Sequence, residues 1–347
     1  MASITERELV DRLKSGNFGG AYLLYGNEVY LSRFYAERLG SKAVTGMEVF
    51  NIHRFSGAVK ADELAGAVET LPMMSEYTFV EVCDYPFAQA GEADLKLIKE
   101  LVEYRNESCV LIFRFENDQF NAKSSSKCRG VLEHFKKYGF AVELNRKETG
   151  ELAQIICRRA ASRGCNMQPT VARHLIDLCG VGLDNLLSEA DKLFDYTGRR
   201  AITVEDVDAV AVKTLDASAY HLTKAICAGN SDKVMSICDD LINQRTEPIG
   251  IISALSATYV DMYRAKVADT QGIRPESIAK DFGYGDKTFK LKNAAQNVRS
   301  MPLSSVRESL DVLAAAEVSL KNSECDPITA VQEVLVRLIR IAAGQNT

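Results

Sequence analysis

Long apolar runs are missing from this 347-residue sequence. No stretch reaches the roughly 18 apolar residues that a membrane-spanning helix needs, so no membrane association is expected. The opening Met1-Ala2-Ser3-Ile4-Thr5-Glu6 lacks a basic segment followed by an apolar one, which argues against a secretory signal. Metal-ligand spacings are missing too. Nine cysteines lie at positions 83, 109, 128, 157, 165, 179, 227, 238 and 325, and no two stand as C-x-x-C. Their odd number and wide scatter speak against a disulfide framework or a zinc site, and for reduced thiols in a cytoplasmic protein. The four histidines, His53, His134, His174 and His221, form no H-E-x-x-H or similar cluster, so no metal is expected. An excess of one charge is the last absence. With a net charge of −5, no global field draws nucleic acid, and any contact with DNA must be local or shared with partners.

What is present suits a globular chain of two or three domains: 46% hydrophobic and 26% charged residues. The first ~140 residues alternate strand and helix signals. Ser3 is expected to cap an opening helix, with Glu6 as its capping-box partner. Ala21 to Tyr25 is an apolar run ended by Gly26 and reads as a buried strand. A helix from Leu31 to Leu39 follows, then a second strand from Val49 to Phe55. Leu64, Val68 and Leu71 fall on one face of a helix over Ala61–Leu71, which Pro72 stops. Thr78 to Val82, Cys109 to Phe113 and Phe140 to Leu144 read as further strands, with Cys109 to Phe113 central. Helices at Leu95–Tyr104 and Cys128–Tyr138 separate them. Continuous apolar strands divided by helices indicate a parallel sheet covered on both faces.

After residue 145 the strand signal vanishes. Helices are expected at Glu151–Arg163, Thr170–Leu178 and Asp184–Tyr196, the last capped by Asp184, and a short one starts at Thr203. From about Asp216 to Ala343 helical periods continue, as in Ile249, Ile252, Leu255, Tyr259 and Met262. No internal repeat or low-complexity segment interrupts this plan of α/β, then small α, then larger α.

Catalytic motifs are also missing. A P-loop would sit where the first strand turns into a helix, and it needs G-x-x-x-x-G-K-[ST] to surround phosphates with backbone N–H groups and a lysine. Here Gly26, Asn27 and Glu28 open a segment with one glycine, no lysine and a carboxylate that would repel phosphate. An acidic residue after an apolar strand would hold Mg²⁺. Asp84, followed by Tyr85-Pro86, reads instead as a turn residue. Arg114, after the strand Val110–Phe113, has the wrong sign for a metal. No G-x-S-x-G, serine–lysine signature or nucleophilic cysteine context appears, so no catalytic residue and no cofactor are assigned.

Several segments, in order, carry a resemblance. Ala21-Tyr22-Leu23-Leu24-Tyr25-Gly26-Asn27-Glu28-Val29-Tyr30-Leu31 is similar to a Y-L-L-Y-G-x-E-x-Y-L opening. Leu71-Pro72-Met73-Met74-Ser75-Glu76 is similar to a helix-to-strand turn. Asp184 to Leu193 resembles an N-L-x-x-E-x-x-K-L helix, and Glu247-Pro248-Ile249 and Ala316-Glu317-Val318-Ser319-Leu320-Lys321 match two C-terminal marks. Together they resemble the delta subunits of bacterial DNA polymerase III, the clamp-loader family of AAA+ type, across nearly the full length. The resemblance implies three domains. Residues 1–145 would be a degenerate AAA+ (P-loop NTPase-like) α/β domain that binds the clamp, 146–212 a helical lid, and 213–347 an all-α collar that assembles with other subunits. It also implies no ATP hydrolysis and no catalysis by the subunit itself, within a holoenzyme that has DNA-directed DNA polymerase activity. The implied partners are the beta sliding clamp, the gamma/tau and delta-prime subunits, and DNA in the assembled complex only.

The resemblance places clamp contact at Leu71, Pro72, Met73 and Met74. The family carries a hydrophobic wedge there, often a leucine–phenylalanine pair; here Pro72-Met73, followed by Met74, stands in its place, and the aromatic ring is absent. Methionine is flexible and polarizable and adapts to irregular apolar pockets. A second candidate surface is the segment Pro275 to Gly283 followed by a basic helix with Lys287, Lys290, Lys292 and Arg299, which has the pattern of a helix-turn-helix. It favours a solvated surface helix whose lysines would line DNA without reading sequence. The competing functions are a stand-alone AAA+ ATPase, which needs the missing P-loop, and a DNA-binding regulator built on residues 275–299.

Overall fold

The structure, a computed structural model, describes residues 4–104, 106–116, 120–198, 200–284, 288–299, 301–322 and 326–344. It divides into two compact units, Met1–Glu148 and Thr149–Thr347.

In the first unit the elements run α1 (Glu6–Ser15), β1 (Gly20–Tyr25), α2 (Val29–Ala43), α3 (Glu48–Asn51), β2 (Ile52–Ser56), α4 (Ala61–Glu69), β3 (Thr78–Cys83), α5 (Glu92–Tyr104), β4 (Cys109–Arg114), α6 (Ser126–Tyr138) and β5 (Phe140–Glu143). Five parallel strands form one sheet in the order β2-β3-β4-β1-β5, with β4 at its centre. β1, β3 and β4 are buried along almost their whole length, as strands covered on both faces must be. On one face Leu64 and Val68 of α4, Ile98 and Val102 of α5, and Val131 and Phe135 of α6 pack on Leu23, Val80, Leu111 and Phe113. α1 and α2 lie along the sheet at β5 and at β3–β4 respectively. Gly40 lets α2 come down onto Phe79, because a Cβ there would lie 3.1 Å from the ring. This is the parallel α/β sheet, covered on both faces, that the sequence predicts.

Three local expectations are corrected. The cap of α1 is Thr5, with Glu8 closing the capping box, and Ser3 lies outside the described residues. The run from Val49 to Phe55 is not one strand: it begins as the short α3, and pairing starts only at Ile52. The helix before Pro72 ends at Glu69, so Leu71 is beyond it.

The second unit comprises α7 (Thr149–Ser162), β6 (Asn166–Met167), α8 (Pro169–Cys179), α9 (Leu183–Thr197), β7 (Ala201–Ile202), α10 (Val204–Val210), α11 (Leu215–Cys227), α12 (Ser231–Asn243), α13 (Pro248–Thr270), α14 (Pro275–Asp281), α15 (Thr288–Asn297), α16 (Leu303–Lys321) and α17 (Pro327–Ala342). Strand structure does not vanish after residue 145, since β6 pairs with β7 in parallel. Two-residue strands are too short to leave a period-2 signal. The cap of α9 is Gly182 rather than Asp184, which sits in the first turn, where its charge suits the helix dipole. The helix starts early because Leu183 is itself buried. The long α13 is the hub of the C-terminal part. Its Ile252, Leu255, Tyr259 and Met262 are fully buried with Leu222 of α11, Val306 and Leu313 of α16, and Leu335 and Leu338 of α17.

Candidate partner-binding tip

Because its five strands run the same way, the first unit's sheet has two distinct ends. The turn from β1 into α2 lies at the C-terminal end, where α/β sheets usually hold ligands. The connections that lead into β2 and β3 lie at the opposite, N-terminal end.

At the C-terminal end the turn is closed on itself. Gly26 has φ 132°, and a Cβ there would lie 2.2 Å from the carbonyl oxygen of Leu144. The backbone N–H of Glu28 donates to that same carbonyl at 3.0 Å, and the N–H of Leu144 returns a bond to Tyr25 at 2.7 Å. Asn27 Oδ1 accepts from the Arg146 N–H at 2.8 Å. Glu28 is buried and caps α2, its carboxylate accepting from the Tyr30 N–H at 3.3 Å. Counted from Gly26, the second glycine of a P-loop would fall on Leu31, which is buried, and the lysine on Ser32. The Ser32 hydroxyl donates to the Val29 and Phe115 carbonyls. Two of the N–H groups at this turn, those of Glu28 and Tyr30, are thus held by a carbonyl and a carboxylate oxygen of the chain itself.

Beside this turn, Asp84 is the turn residue that the sequence suggests. It has φ 55°, and its Oδ1 accepts from the Glu116 N–H at 2.9 Å. Among the described residues one group, Cys83, Asp84 and Glu116, brings metal-ligand atoms within 4.8 Å. Burial pushes the Cys83 thiol up to about 11, so it holds its proton at neutral pH. Glu116 is already paired with Arg114 at 2.7 Å. A neutral thiol and a neutralised carboxylate make a poor cation site.

At the N-terminal end two connections lie side by side, because β2 and β3 pair from Ile52 and Phe79 onward. One is the segment 44–51, which includes α3; the other is 70–77. Asn51 joins them and is fully buried. Its Nδ2 donates to the Gly46 carbonyl at 2.9 Å and to the Met73 carbonyl at 2.8 Å, while its Oδ1 accepts from the Met73 N–H at 2.7 Å. Ser75 adds a hydroxyl bond to the Ala43 carbonyl at 3.4 Å. Met47 and Met74 both take left-handed backbone conformations, φ 50° and 53°. That region is uncommon for any residue but glycine.

The side chains held this way point outward. Leu71 and Met74 are each 80% exposed and Met73 50%, with Pro72 half-buried. From the other connection Val49 is 87% exposed and Phe50 54%. Sequence reasoning finds the first group and misses the second. It assigns Val49 and Phe50 to a strand, so the aromatic ring absent from 71–74 is present on the neighbouring segment.

The second candidate surface is less coherent. Lys287 lies outside the described residues. Lys290 on α15 pairs with Asp216 of α11 at 2.8 Å. Lys292 and Arg299 occupy exposed positions. Lys266 of α13 donates to the Val298 and Arg299 carbonyls at the end of α15.

The family description "DNA polymerase III, delta subunit" matches residues 22–144, and "DNA polymerase III delta subunit, C-terminal domain" matches residues 216–338. The chain belongs to the DNA polymerase III delta subunit family. The first match runs from β1 to the end of the five-stranded sheet and includes the whole tip; the second runs from α11 into α17. Among relatives, the chain is 24% identical to the DNA polymerase III subunit delta of Bacillus subtilis over 344 residues, covering 94% of this chain and 95% of the relative. It is 20% identical to a probable DNA polymerase III subunit delta of Aquifex aeolicus, covering 82% and 83%. Its fold is similar to that of the solved Bacillus subtilis DNA clamp loader delta protein, with a TM-score of 0.69 and 22% identity over 96% of this chain and 99% of that one. No helix among the described residues is long and apolar enough to cross a membrane.

Proposed function

We propose that this chain is the clamp-loader subunit that binds the beta sliding clamp and opens it, so that the ring can be placed on primed DNA. The observation that carries this reading is the exposure of Leu71, Met73 and Met74 on a connection fixed by the buried Asn51. Burying such side chains in a pocket contributes roughly 1.5–3 kcal/mol each before ordering costs. A pocket beside the seam of the ring favours the sprung shape only if the tip binds that shape better than the closed one.

The chain opens the ring without hydrolysing ATP. The engaged N–H groups of Glu28 and Tyr30 and the carboxylate of Glu28 at the turn support this, and ATP-driven subunits of the gamma/tau type would supply the energy. It works in the cytoplasm, within a holoenzyme whose polymerase activity resides in other chains. Residues 146–212 act as the lid and 213–347 as the collar that meets gamma/tau and delta-prime. DNA is met only in the assembled loader, with Lys290, Lys292 and Arg299 as candidate contacts.

Titration of the purified chain with the sliding clamp tests this. Binding that needs no nucleotide and disappears in the Met73→Asp/Met74→Asp double variant is the expected result. A folded double variant that binds as well as the parent discards the tip. Steady ATP hydrolysis by the pure chain revives the stand-alone ATPase.

A further inference from the structure

The apolar surface does not end at Met74. Val49 and Phe50 leave the fold on the residues just before Asn51, and Asn51 exchanges two hydrogen bonds with the backbone of Met73. The Gly46 backbone lies beside the Met74 carbonyl, 3.6 Å from where a Cβ would stand. One buried amide with three bonds therefore fixes the spacing between two exposed apolar segments. Buried polar groups are retained where all their bonds are made, because losing one strands its partner.

Charge marks the same surface. No lysine or arginine occurs in residues 43–53 or 61–83, whereas Glu48, Glu69 and Glu76 are exposed and stand next to or nearly next to Val49, Leu71 and Met74 in sequence. The centre is apolar and the rim acidic, which fits an apolar pocket with a basic rim. Two methionines held at positive φ, one in each segment, shape the same surface. Backbone conformations of this kind tend to cluster where a protein clamps a partner.

We propose that the clamp-binding surface has two segments, in which Phe50 and Val49 enter the sliding clamp beside Leu71, Met73 and Met74, and Asn51 is the positioning residue that sets their spacing. The inference rests on the reading of this chain as the clamp-binding subunit. Phe50 supplies the aromatic anchor, in keeping with the weight that buried aromatic side chains carry in interfaces.

The test titrates sliding clamp into the parent chain and into five variants: Met73→Asp/Met74→Asp, Phe50→Ala, Val49→Asp, Asn51→Ala and Phe50→Ala/Asn51→Ala. Val49 and Phe50 are exposed, so those two variants should melt like the parent. The expected result is that Phe50→Ala and Val49→Asp each weaken binding by roughly 10- to 100-fold. Asn51→Ala combined with Phe50→Ala should weaken it less than the product of the two single effects, because a freed segment no longer presents the ring in register. Multiplying effects instead would reduce Asn51 to a stability residue and remove its positioning role. If the methionine variant loses the clamp while Phe50→Ala and Val49→Asp stay within about twofold of the parent, the two-segment surface is overturned and the proposed function survives. If the parent chain itself fails to bind the clamp, both fall.

Discussion

Glu81 on β3 and Arg114 at the end of β4 form an ion pair almost wholly inside the sheet, with side-chain exposures of 9% and 12%. Arg54 on β2 reaches the same carboxylate from the other side at 3.1 Å, and Glu116 takes the far edge of Arg114 at 2.7 Å. Burial alone would lower the Arg114 pKa, but its bonds to Glu81 and Glu116 outweigh that and raise it. The row ties three neighbouring strands together with alternating charge and leaves no buried charge unpaired. Glu81→Ala takes away the buried partner of the guanidinium, leaving it only Glu116 at its far edge, and should lower stability by about 3 kcal/mol. Arg54→Ala removes a largely exposed partner and should cost under about 1 kcal/mol. Urea unfolding of the two variants checks the difference. Equal losses would mean that the inner pair carries no special weight.

Gly26 makes a second prediction. Its φ of 132° and its approach to the Leu144 carbonyl leave no room for a methyl group. Gly26→Ala should destabilise the chain by roughly 3 kcal/mol, through strain and loss of the bonds that close the turn on β5. A melting temperature unchanged from the parent would show that the turn yields more easily than its geometry implies.

Asp206 predicts a pH effect in the second unit. Its oxygens accept from both Arg200 Nη atoms at 2.5 and 2.6 Å and from the Thr203 N–H at 2.9 Å. The bond from Arg200, then that from the Thr203 backbone, hold its pKa well below the ordinary value of 3.8. A carboxyl lowered on folding stabilises the native state at pH values above 3.8, and loses that contribution as pH falls toward the folded value. The stability gap between the parent and Asp206→Asn should therefore be widest above about pH 5 and narrow on acidification. Denaturant titrations at several pH values check it. A gap that is constant with pH would rule out the carboxylate as its source.

The sheet is legible in the sequence because strands buried on both faces leave uninterrupted apolar runs, as in Leu23-Leu24 and Val110-Leu111-Ile112. The tip is half legible. Leu71 to Met74 follow a helix and a proline, so they read as a connection. Val49-Phe50, by contrast, sits directly before a true strand, and apolar residues there look like the strand's own start. Their outward direction depends on Asn51, whose partner Met73 lies 22 residues away in sequence. The one local hint is Asn51 itself, a residue disfavoured in strands standing inside an apolar run. The small β6–β7 pair, two residues on each side, was illegible for want of length.

Cys83 predicts an absence of metal chemistry. With its thiol raised to about 11 by burial, only a trace is thiolate at neutral pH, and its hydrogen points toward Asp84 Oδ2 at 3.6 Å. Addition of Co²⁺ should give no thiolate-to-metal absorption band, and thiol reagents should label Cys83 slowly until the chain unfolds. A strong band, abolished by Cys83→Ser, would make the Cys83–Asp84–Glu116 group a metal site after all.

Glu48 extends the two-segment surface to kinetics. It lies in the first turn of α3 beside Val49 and Phe50, and it is exposed, so its charge does not hold the fold together. Charges at the edge of an interface act mainly by steering the encounter, and salt screens them. If the acidic rim faces basic groups on the clamp, Glu48→Lys should slow association by roughly 3- to 10-fold at low ionic strength, and the deficit should shrink in about 0.5 M salt. Dissociation should change little, because the apolar centre around Phe50 and Met74 is intact. Stopped-flow association at two salt concentrations separates these effects. A slower association that persists in high salt would instead mean that Glu48 makes a direct contact, and an unchanged rate at low salt would mean that the rim meets no basic partner.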